Sequence, residues 1–305
     1  EKMINEFQLI EVPYLYQQKI MCKPFKRMLI SKLPEYSRLR VVDKENGGTK
    51  ADPVNAGLNV AKYPYFINTD VDCILSENAI KMCIRPMIEE ENVIAVSGVM
   101  NISNACEVHE GKLIKYRIPW SPIPLFQTLE YLRSFMIGKM GWSKINAMPN
   151  VSGGYGMFDT ELAIKAGGYS FDSLAEDMDM LIRMIGYCCD FGRKYKVEQI
   201  PYTCCWTEGP PNLKMLHRQR TRWGHGLIQT FGKYHHIMFK KKYRQLGLIT
   251  LPYLFIFEFL APLIECVGFC MFIYLAFTGG VNWNTAWLIF LAIYFFCFQL
   301  SFIVI

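Results

Sequence analysis

Short apolar runs alternate with helical text over the first two hundred residues, and longer unbroken apolar runs close the chain. The runs LRVVD (39–43), YFINTDVD (65–72) and VIAVSGVM (93–100) are brief, β-branched and bounded by turn residues, the pattern of buried parallel strands. Between them, DPVNAGLNVAK (52–62) predicts a short helix with Pro53 in its first turn. SENAIKMCIRPMIEEEN (76–92) predicts a longer helix capped by Ser76. Strand, helix, strand, helix is the order of an α/β sheet with right-handed crossovers. From 118 to 142, Leu125, Leu129, Leu132 and Met136 form a helical stripe, with Glu130, Arg133 and Lys139 on the polar face. That stripe suits either a core helix or a helix lying in a membrane interface.

The apolar runs 246–277 and 286–305 approach or exceed the roughly 20 residues that a helix needs to cross a bilayer. Two transmembrane helices are therefore expected after the α/β domain. Charge sharpens the picture. Only Glu258 and Glu265 lie beyond residue 245, so the first 245 residues carry a net charge of +8 and the remainder −2. Nine Lys/Arg and no acid fall between Gly209 and Gln245, whereas the linker TGGVNWN is uncharged. The bias of basic residues toward the cytoplasm predicts that the large N-terminal part lies inside the cell, on the plasma (inner) membrane of a multi-pass protein. Three parts are expected: 1–212, 213–245 with its basic helix, and 246–305, with the pattern continuing beyond both ends. Eleven cysteines include the adjacent pairs Cys188-Cys189 and Cys204-Cys205 but no C-x-x-C spacing, which reads as reduced core residues rather than a zinc site or disulfide scaffold.

Candidate chemistry sits where the strands are expected to end. Asp70 and Asp72 of NTDVDC close an apolar strand, and ligands of open α/β sheets lie beyond the carboxyl ends of strands. As i and i+2 on a strand, both side chains would share a face and suit Mg²⁺ or Mn²⁺ bridging a phosphate; a solvated turn fits the same residues. In SLAEDMDMLIRM, Glu176, Asp177 and Asp179 open a helix, and Asp177 reads either as a capping acid or as a general base. Gly153 and Gly154 precede another helix, as a tight turn or as a wall against a sugar. The stretch LHRQRTRWGHG (216–226) joins three arginines to an indole: guanidinium forks grip phosphate, and the ring stacks on a sugar face. No long basic stripe with interleaved aromatics points to nucleic acid. Together these groups suit transfer from a nucleotide-diphosphate sugar.

In the same order along the chain, DKENGGTKADPVNAGLN, TDVD, AEDMDM and QRTRW resemble the nucleotide-contacting segment, D-x-D, T/A-E-D and Q-x-x-R-W motifs of the membrane-embedded, processive family 2 glycosyltransferases. That family includes the cellulose, hyaluronan, chitin-oligosaccharide and poly-N-acetylglucosamine synthases. The resemblance implies a Rossmann-like GT-A domain with interfacial helices, followed by transmembrane helices, and inverting transfer by single displacement. By position it implies that Lys50, Asp70, Asp72, Gln219 and Arg222 bind the nucleotide sugar and that Asp70 and Asp72 hold Mg²⁺ or Mn²⁺. Asp177 is then the catalytic base, and Trp223, Gly153, Gly154 and Glu176 meet the acceptor. LEYLRSF…GW…SGGYGMF most resembles the poly-N-acetylglucosamine and chitin-oligosaccharide branch, which favours UDP-N-acetylglucosamine as donor and a β-linked polysaccharide as acceptor and product. Partners so implied are the UDP-sugar, the polysaccharide and the lipid bilayer; no particular secretion subunit is indicated. The family's first uridine-binding aspartate is expected upstream of Glu1, and Asp159 stands where a basic residue is common. Two rivals remain: a non-processive transferase that glycosylates a membrane lipid, and a transporter or channel component built on Glu258 and Glu265, seven residues apart in an apolar helix.

Overall fold

The computed structural model describes residues 2–14 and 16–304. A short helix α1 (Lys2–Glu6) leads into β1 (Leu9–Val12), β2 (Phe25–Ser31) and β3 (Arg40–Lys44), then α2 (Ala51–Val60), β4 (Tyr65–Thr69), β5 (Ile74–Leu75) and α3 (Ala79–Glu89). Next come β6 (Val93–Ile102), the hairpin β7 (Glu107–His109) and β8 (Lys112–Lys115), α4 (Pro122–Leu132), a π-helical turn (Arg133–Gly138) and α5 (Lys139–Lys144). The chain continues through β9 (Tyr155–Asp159), α6 (Thr160–Lys165), α7 (Glu176–Asp190), β10 (Lys196–Thr207) and α8 (Leu213–Tyr234). The short α9 (Leu251–Leu254) and the apolar α10 (Ala261–Phe277) and α11 (Trp283–Val304) complete it.

The main sheet has the order β4-β9-β6-β10-β5. Its centre is β6, buried along almost its whole length because helices cover both faces, which is why its sequence is an unbroken apolar run. On β9 the pleat alternates: Tyr155 and Met157 join the layer under α3 and the π turn, whereas Phe158 joins the layer formed by α2, α7 and α8. An α/β domain followed by two apolar helices is thus what the chain forms, but the sheet is mixed. Among the described residues, only β6 and β10 run parallel as neighbours. β4 and β6 each pair antiparallel with the intervening β9. LRVVD lies outside this sheet altogether, in an antiparallel sheet of order β1-β2-β3. The connection from Ser31 to Arg40 is a tight turn around Pro34–Tyr36, too short for the crossover that parallel pairing needs. Helix α3 starts at Ala79 rather than Ser76: the Ser76 carbonyl accepts from Ala79 N at 3.0 Å, and its hydroxyl makes no cap.

The apolar C-terminal region also divides differently from the expected boundary at 246. Leu246, Leu251 and Leu254 are buried in the core, and Thr250 Oγ1 donates to the Ala147 carbonyl at 3.0 Å. Two π-helical turns, Leu246–Thr250 and Phe255–Phe259, flank α9, and the helix re-forms at Ala261 just before Pro262. Glu258 and Glu265 therefore sit on opposite sides of this interruption, so their seven-residue spacing does not place them on one helical face. The helices Leu246–Phe277 and Trp283–Phe302 are long and apolar enough to cross a membrane. Most large side chains of α10 and α11 are exposed, from Leu263 to Phe302, a surface that water does not tolerate over such an area.

Candidate active site

The site is built from the ends of strands inward. β4 stops at Thr69 and the chain turns at once, Cys73 N donating to the Asp70 carbonyl at 3.1 Å. Asp70 and Asp72 thus occupy a turn and not alternate positions of a strand, so the shared face expected from their spacing does not apply. Asp70 N donates to the Gly154 carbonyl at 3.1 Å, one step beyond the β4–β9 ladder, which fixes the turn against the glycine pair. The Asp70 carboxylate meets Lys50 Nζ at 2.5 Å. Asp72 is exposed and, among the described residues, makes no ion pair.

Lys50 immediately precedes α2, and α2 is held by buried polar side chains. Asn55 donates to the Tyr169 carbonyl at 2.9 Å and accepts from Tyr169 N at 2.7 Å, while buried Asp52 pairs with Lys44 and accepts from Lys23 N at 2.8 Å. Gly168 has φ +67°, and a Cβ there would come within 2.7 Å of Asn55 Oδ1, so glycine permits this close junction. Lys50 Nζ then reaches three groups from different elements: Asp70, the Gly153 carbonyl at 2.8 Å, and Glu176 at 3.6 Å.

Gly153 lies between Lys50 and Asp177. A Cβ on it would stand 3.4 Å from Lys50 Nζ and 3.6 Å from Asp177 Cβ, ordinary contact distances, so the backbone at this position lies directly against both side chains. Asp177 Oδ2 accepts from Gly153 N at 3.1 Å and from Asn150 Nδ2 at 3.0 Å, and Oδ1 accepts from Met178 N at 2.8 Å. At the first turn of α7 these donors and the helix dipole orient the carboxylate. Burial and the neighbouring Asp177 raise the Glu176 carboxyl above its ordinary value, with Lys50 and Arg222 pulling the other way. Lys139 is buried as well, and desolvation pulls its ammonium down to about 8, opposed by the charge of Asp177.

Helix α8 carries the arginine–tryptophan element. Asn212 caps it, accepting from Met215 N at 3.0 Å, after a break fixed by Gln127 donating to the Pro210 carbonyl at 3.0 Å. Its register against α7 is set by Asp179, which is 1% exposed and accepts from Lys233 Nζ at 2.9 Å, Tyr234 OH at 2.7 Å and Arg183 Nε at 2.8 Å. Gly226 meets the loop before Asp177 so closely that a Cβ would lie 2.8 Å from Ala175 Cβ. Arg220 pairs with Glu130 and lies 4.5 Å over the Trp223 ring. Gln219 Oε1 is buried with no hydrogen-bond partner among the described residues. Arg222 acts on Glu176 through its charge, but no hydrogen bond or ion pair among the described residues ties Gln219, Arg222 or Trp223 to Asp70 or Asp177.

The structure therefore gathers Lys50, Asp70, Gly153, Glu176 and Asp177 directly, with Gly154 behind the turn and Asp72 beside it. Glu176 faces Lys50, on the donor side of the expected assignment. Asn68 and Asn150, which donate to the Gly153 carbonyl at 3.4 Å and to Asp177 Oδ2 at 3.0 Å, also border the site; for Asn68 an amide inside the apolar run of β4 is the signal in the sequence, and Asn150 carries none. Asp159 caps α6 instead, accepting from Leu162 N at 2.7 Å at the far end of β9. A concavity of about 620 Å³ at that far end is lined by Glu89, Glu90, Asp159, Glu161 and Arg193.

Sequence comparison gives two overlapping matches. The profile described as glycosyl transferase family group 2 matches residues 125–300, and that of glycosyl transferase family 2 matches residues 25–143. The chain is similar to a poly-beta-1,6-N-acetyl-D-glucosamine synthase of Staphylococcus aureus, 26% identical over 198 residues, covering 65% of this chain and 43% of the relative. The synthase of the same description from Staphylococcus epidermidis is 26% identical over 187 residues, covering 61% and 40%. The chain thus spans less than half the length of these curated relatives. Among solved structures, a mannosyltransferase from Pyrobaculum calidifontis in complex with GDP-Man and Mn²⁺ aligns at a TM-score of 0.47 and 19% identity, over 81% of this chain and 64% of that one.

Proposed function

The chain belongs to glycosyl transferase family group 2, and on that premise we propose that it transfers a sugar from a UDP-sugar to the growing end of a β-linked polysaccharide at a membrane. The observation that carries this reading is the convergence of Lys50 and Asp177 on the Gly153 backbone, with Asp70 and Glu176 both meeting the Lys50 ammonium. Asp177 is the general base: its carboxylate is oriented by three N–H donors and takes the proton from the attacking acceptor hydroxyl. Lys50 and Arg222 offer positive charge to the departing diphosphate, and Gln219 offers an unpaired buried acceptor to a ligand donor. Trp223, Gly153 and Gly154 shape the acceptor side, while Glu176 lies beside Lys50 on the donor side. Inversion at the anomeric carbon follows from a single displacement.

The residues present fit a divalent cation. Asp72 is exposed and unpaired among the described residues, and Asp70 keeps one oxygen beyond its Lys50 contact. No three metal-ligating side chains converge among the described residues. Mg²⁺ or Mn²⁺ held by one or two carboxylates takes its other ligands from water and substrate phosphate, which suits this donor set. Held there, it supplies charge compensation for the leaving diphosphate. UDP-N-acetylglucosamine is the proposed donor, and processive extension the proposed mode, supported by likeness to the staphylococcal synthases. The basic run before the apolar helices supports a cytoplasmic catalytic domain on a multi-pass protein.

The test is donor selection. The full chain in isolated membranes is given a panel of UDP-sugars with Mg²⁺ or Mn²⁺, UDP release is measured, and the product is digested with linkage-specific hydrolases. UDP-N-acetylglucosamine should release UDP and yield a β-linked polymer. Release from no UDP-sugar would overturn the reading, and a single added sugar would replace the processive form with the lipid-glycosylating one.

A further inference from the structure

The basic stretch of α8 places three arginines two residues apart, at 218, 220 and 222. Two residues on an α-helix turn by about 200°, so neighbours in this series fall on nearly opposite sides. Arg218 and Arg222 are exposed, and among the described residues neither forms an ion pair. Arg220 is tied down. Its guanidinium pairs with Glu130 of α4, 90 residues away in sequence, and lies 4.5 Å over the ring of Trp223. By their spacing of three and four, Leu216, Gln219, Arg220 and Trp223 share one face of α8. Leu216 and Gln219 are half-buried on that face, and Gln219 Oε1 has no partner among the described residues.

The pair stands beside the site and is not needed to hold the helices together. Tyr131, the next residue on α4, packs on the same apolar layer as Cys73 of the turn after β4. One turn before Glu130, Gln127 already binds α4 to the entry of α8 through the Pro210 carbonyl at 3.0 Å. The side chains of Arg220 and Glu130 are 38% and 48% exposed, where an ion pair adds little to folding. What the contact fixes is Arg220 itself. A long arginine three residues before a tryptophan otherwise swings through solvent; a carboxylate from a second element pins it over one face of the ring. Trp223 remains 39% exposed, so the indole keeps surface free for a ligand. With its charge answered by Glu130, Arg220 also offers less to a phosphate than Arg222 does.

We propose that Glu130 and Arg220 form a positioning pair for the acceptor: they hold the Trp223 indole so that its uncovered surface meets the sugar at the growing end of the polysaccharide, while Arg222 serves the diphosphate. This rests on the reading of the chain as a UDP-sugar transferase with Trp223 on the acceptor side. The pair touches no reacting atom and acts through the indole.

The experiment uses the full chain in isolated membranes with UDP-N-acetylglucosamine and Mg²⁺. It measures the rate of sugar incorporation into polymer, the share of donor lost to water as free sugar, and inhibition by UDP. Arg220→Met removes the ion pair but keeps bulk over the ring; incorporation should fall roughly tenfold through lost orientation, the free-sugar share should rise, and inhibition by UDP should be unchanged. Arg220→Lys keeps a cation for both Glu130 and the ring and should recover most of the incorporation. Glu130→Gln should show the same pattern at about threefold, the scale of an exposed cation–π contact. The double variant Glu130→Gln/Arg220→Met should be no worse than Arg220→Met, because both changes remove one coupled contact. Normal incorporation in Arg220→Met, weakened inhibition by UDP in that variant, or additive losses in the double variant would each overturn the proposal. Should Arg220→Met fail to accumulate in membranes, Glu130→Gln decides alone: normal incorporation or weakened inhibition by UDP overturns it. Wild type and Trp223→Ala are run in parallel. A wild type that releases UDP from no UDP-sugar would sink the transferase reading, and full incorporation in Trp223→Ala would sink the acceptor role of the indole; an active wild type, an impaired Trp223→Ala and an unaffected Arg220→Met would sink only the pair.

Discussion

The two ends of the main sheet look alike in composition and differ in construction. At one end Glu89, Glu90, Asp159, Glu161 and Arg193 line a concavity of about 620 Å³. At the other, Lys50, Asp70, Glu176 and Asp177 meet around Gly153. The first set is mostly exposed, and its charges are satisfied one by one: Glu161 pairs with Lys165 and Glu89 with Arg85 one helical turn away, Asp159 caps its own helix, and Glu90 pairs with Lys196 of β10. The second set draws on α2, α7, the turn after β4 and the strand-entry loop, brought together over sequence separations near 100 residues, as Lys50 and Gly153 show. Size of a hollow therefore says little about function here. What distinguishes the reactive end is that partly buried charges from several elements meet one another, Lys50 reaching Asp70, Glu176 and the Gly153 carbonyl while Asp177 accepts from Gly153 N.

That contrast can be broken by mutation, beginning with the largest effect. Asp177→Asn keeps the acceptor oxygen for Gly153 N and Asn150 but cannot take a proton, so sugar transfer should fall by about 10² to 10⁴-fold, with UDP binding retained. Arg222→Ala removes a charge that reaches Glu176, and UDP affinity should drop roughly tenfold or more in a direct binding titration. Unchanged affinity would withdraw Arg222 from the diphosphate. Gly226→Val tests whether the α7–α8 contact matters: its Cβ has no room beside Ala175, so α8 must shift, and thermal unfolding should show a loss of about 1–3 kcal/mol together with slower transfer. Asp159→Ala, at the opposite end of the sheet, should cost about 1 kcal/mol of stability through its lost cap and leave UDP release unaltered. A large loss of transfer in that variant would erase the distinction between the two ends.

The sequence made the architecture legible where periodicity was strong. The unbroken apolar run of β6, the helix of 79–89 and the apolar C-terminal helices all lie where the pattern placed them, give or take a turn. Strand direction was not legible, because partner choice depends on the strand contributed by β9, nearly 90 residues after β4, and on a connection between β2 and β3 too short to cross over. Asp70 and Asp177 were visible as acids at the edges of apolar elements. The even spacing of Asp70 and Asp72 misled, since β4 ends at Thr69, three residues short of Asp72. Lys139 was illegible as an interior charge because a π turn, which no residue pattern announces, rotates it from the expected polar face into the core. Asp179 and Asp177 look equivalent as text, two residues apart on α7; the helix turns one toward Gly153 and the other toward Tyr234.

The central claim is where a nucleoside diphosphate and its cation bind. Diffraction at the manganese absorption edge, from crystals of the full chain grown with UDP and Mn²⁺, locates the ion without reference to any mechanism. The account expects a single strong anomalous peak within coordination distance of the Asp70 or Asp72 carboxylate, with UDP phosphate density toward Lys50. A peak among Glu89, Glu90, Asp159 and Glu161, with the turn after β4 empty, would contradict it.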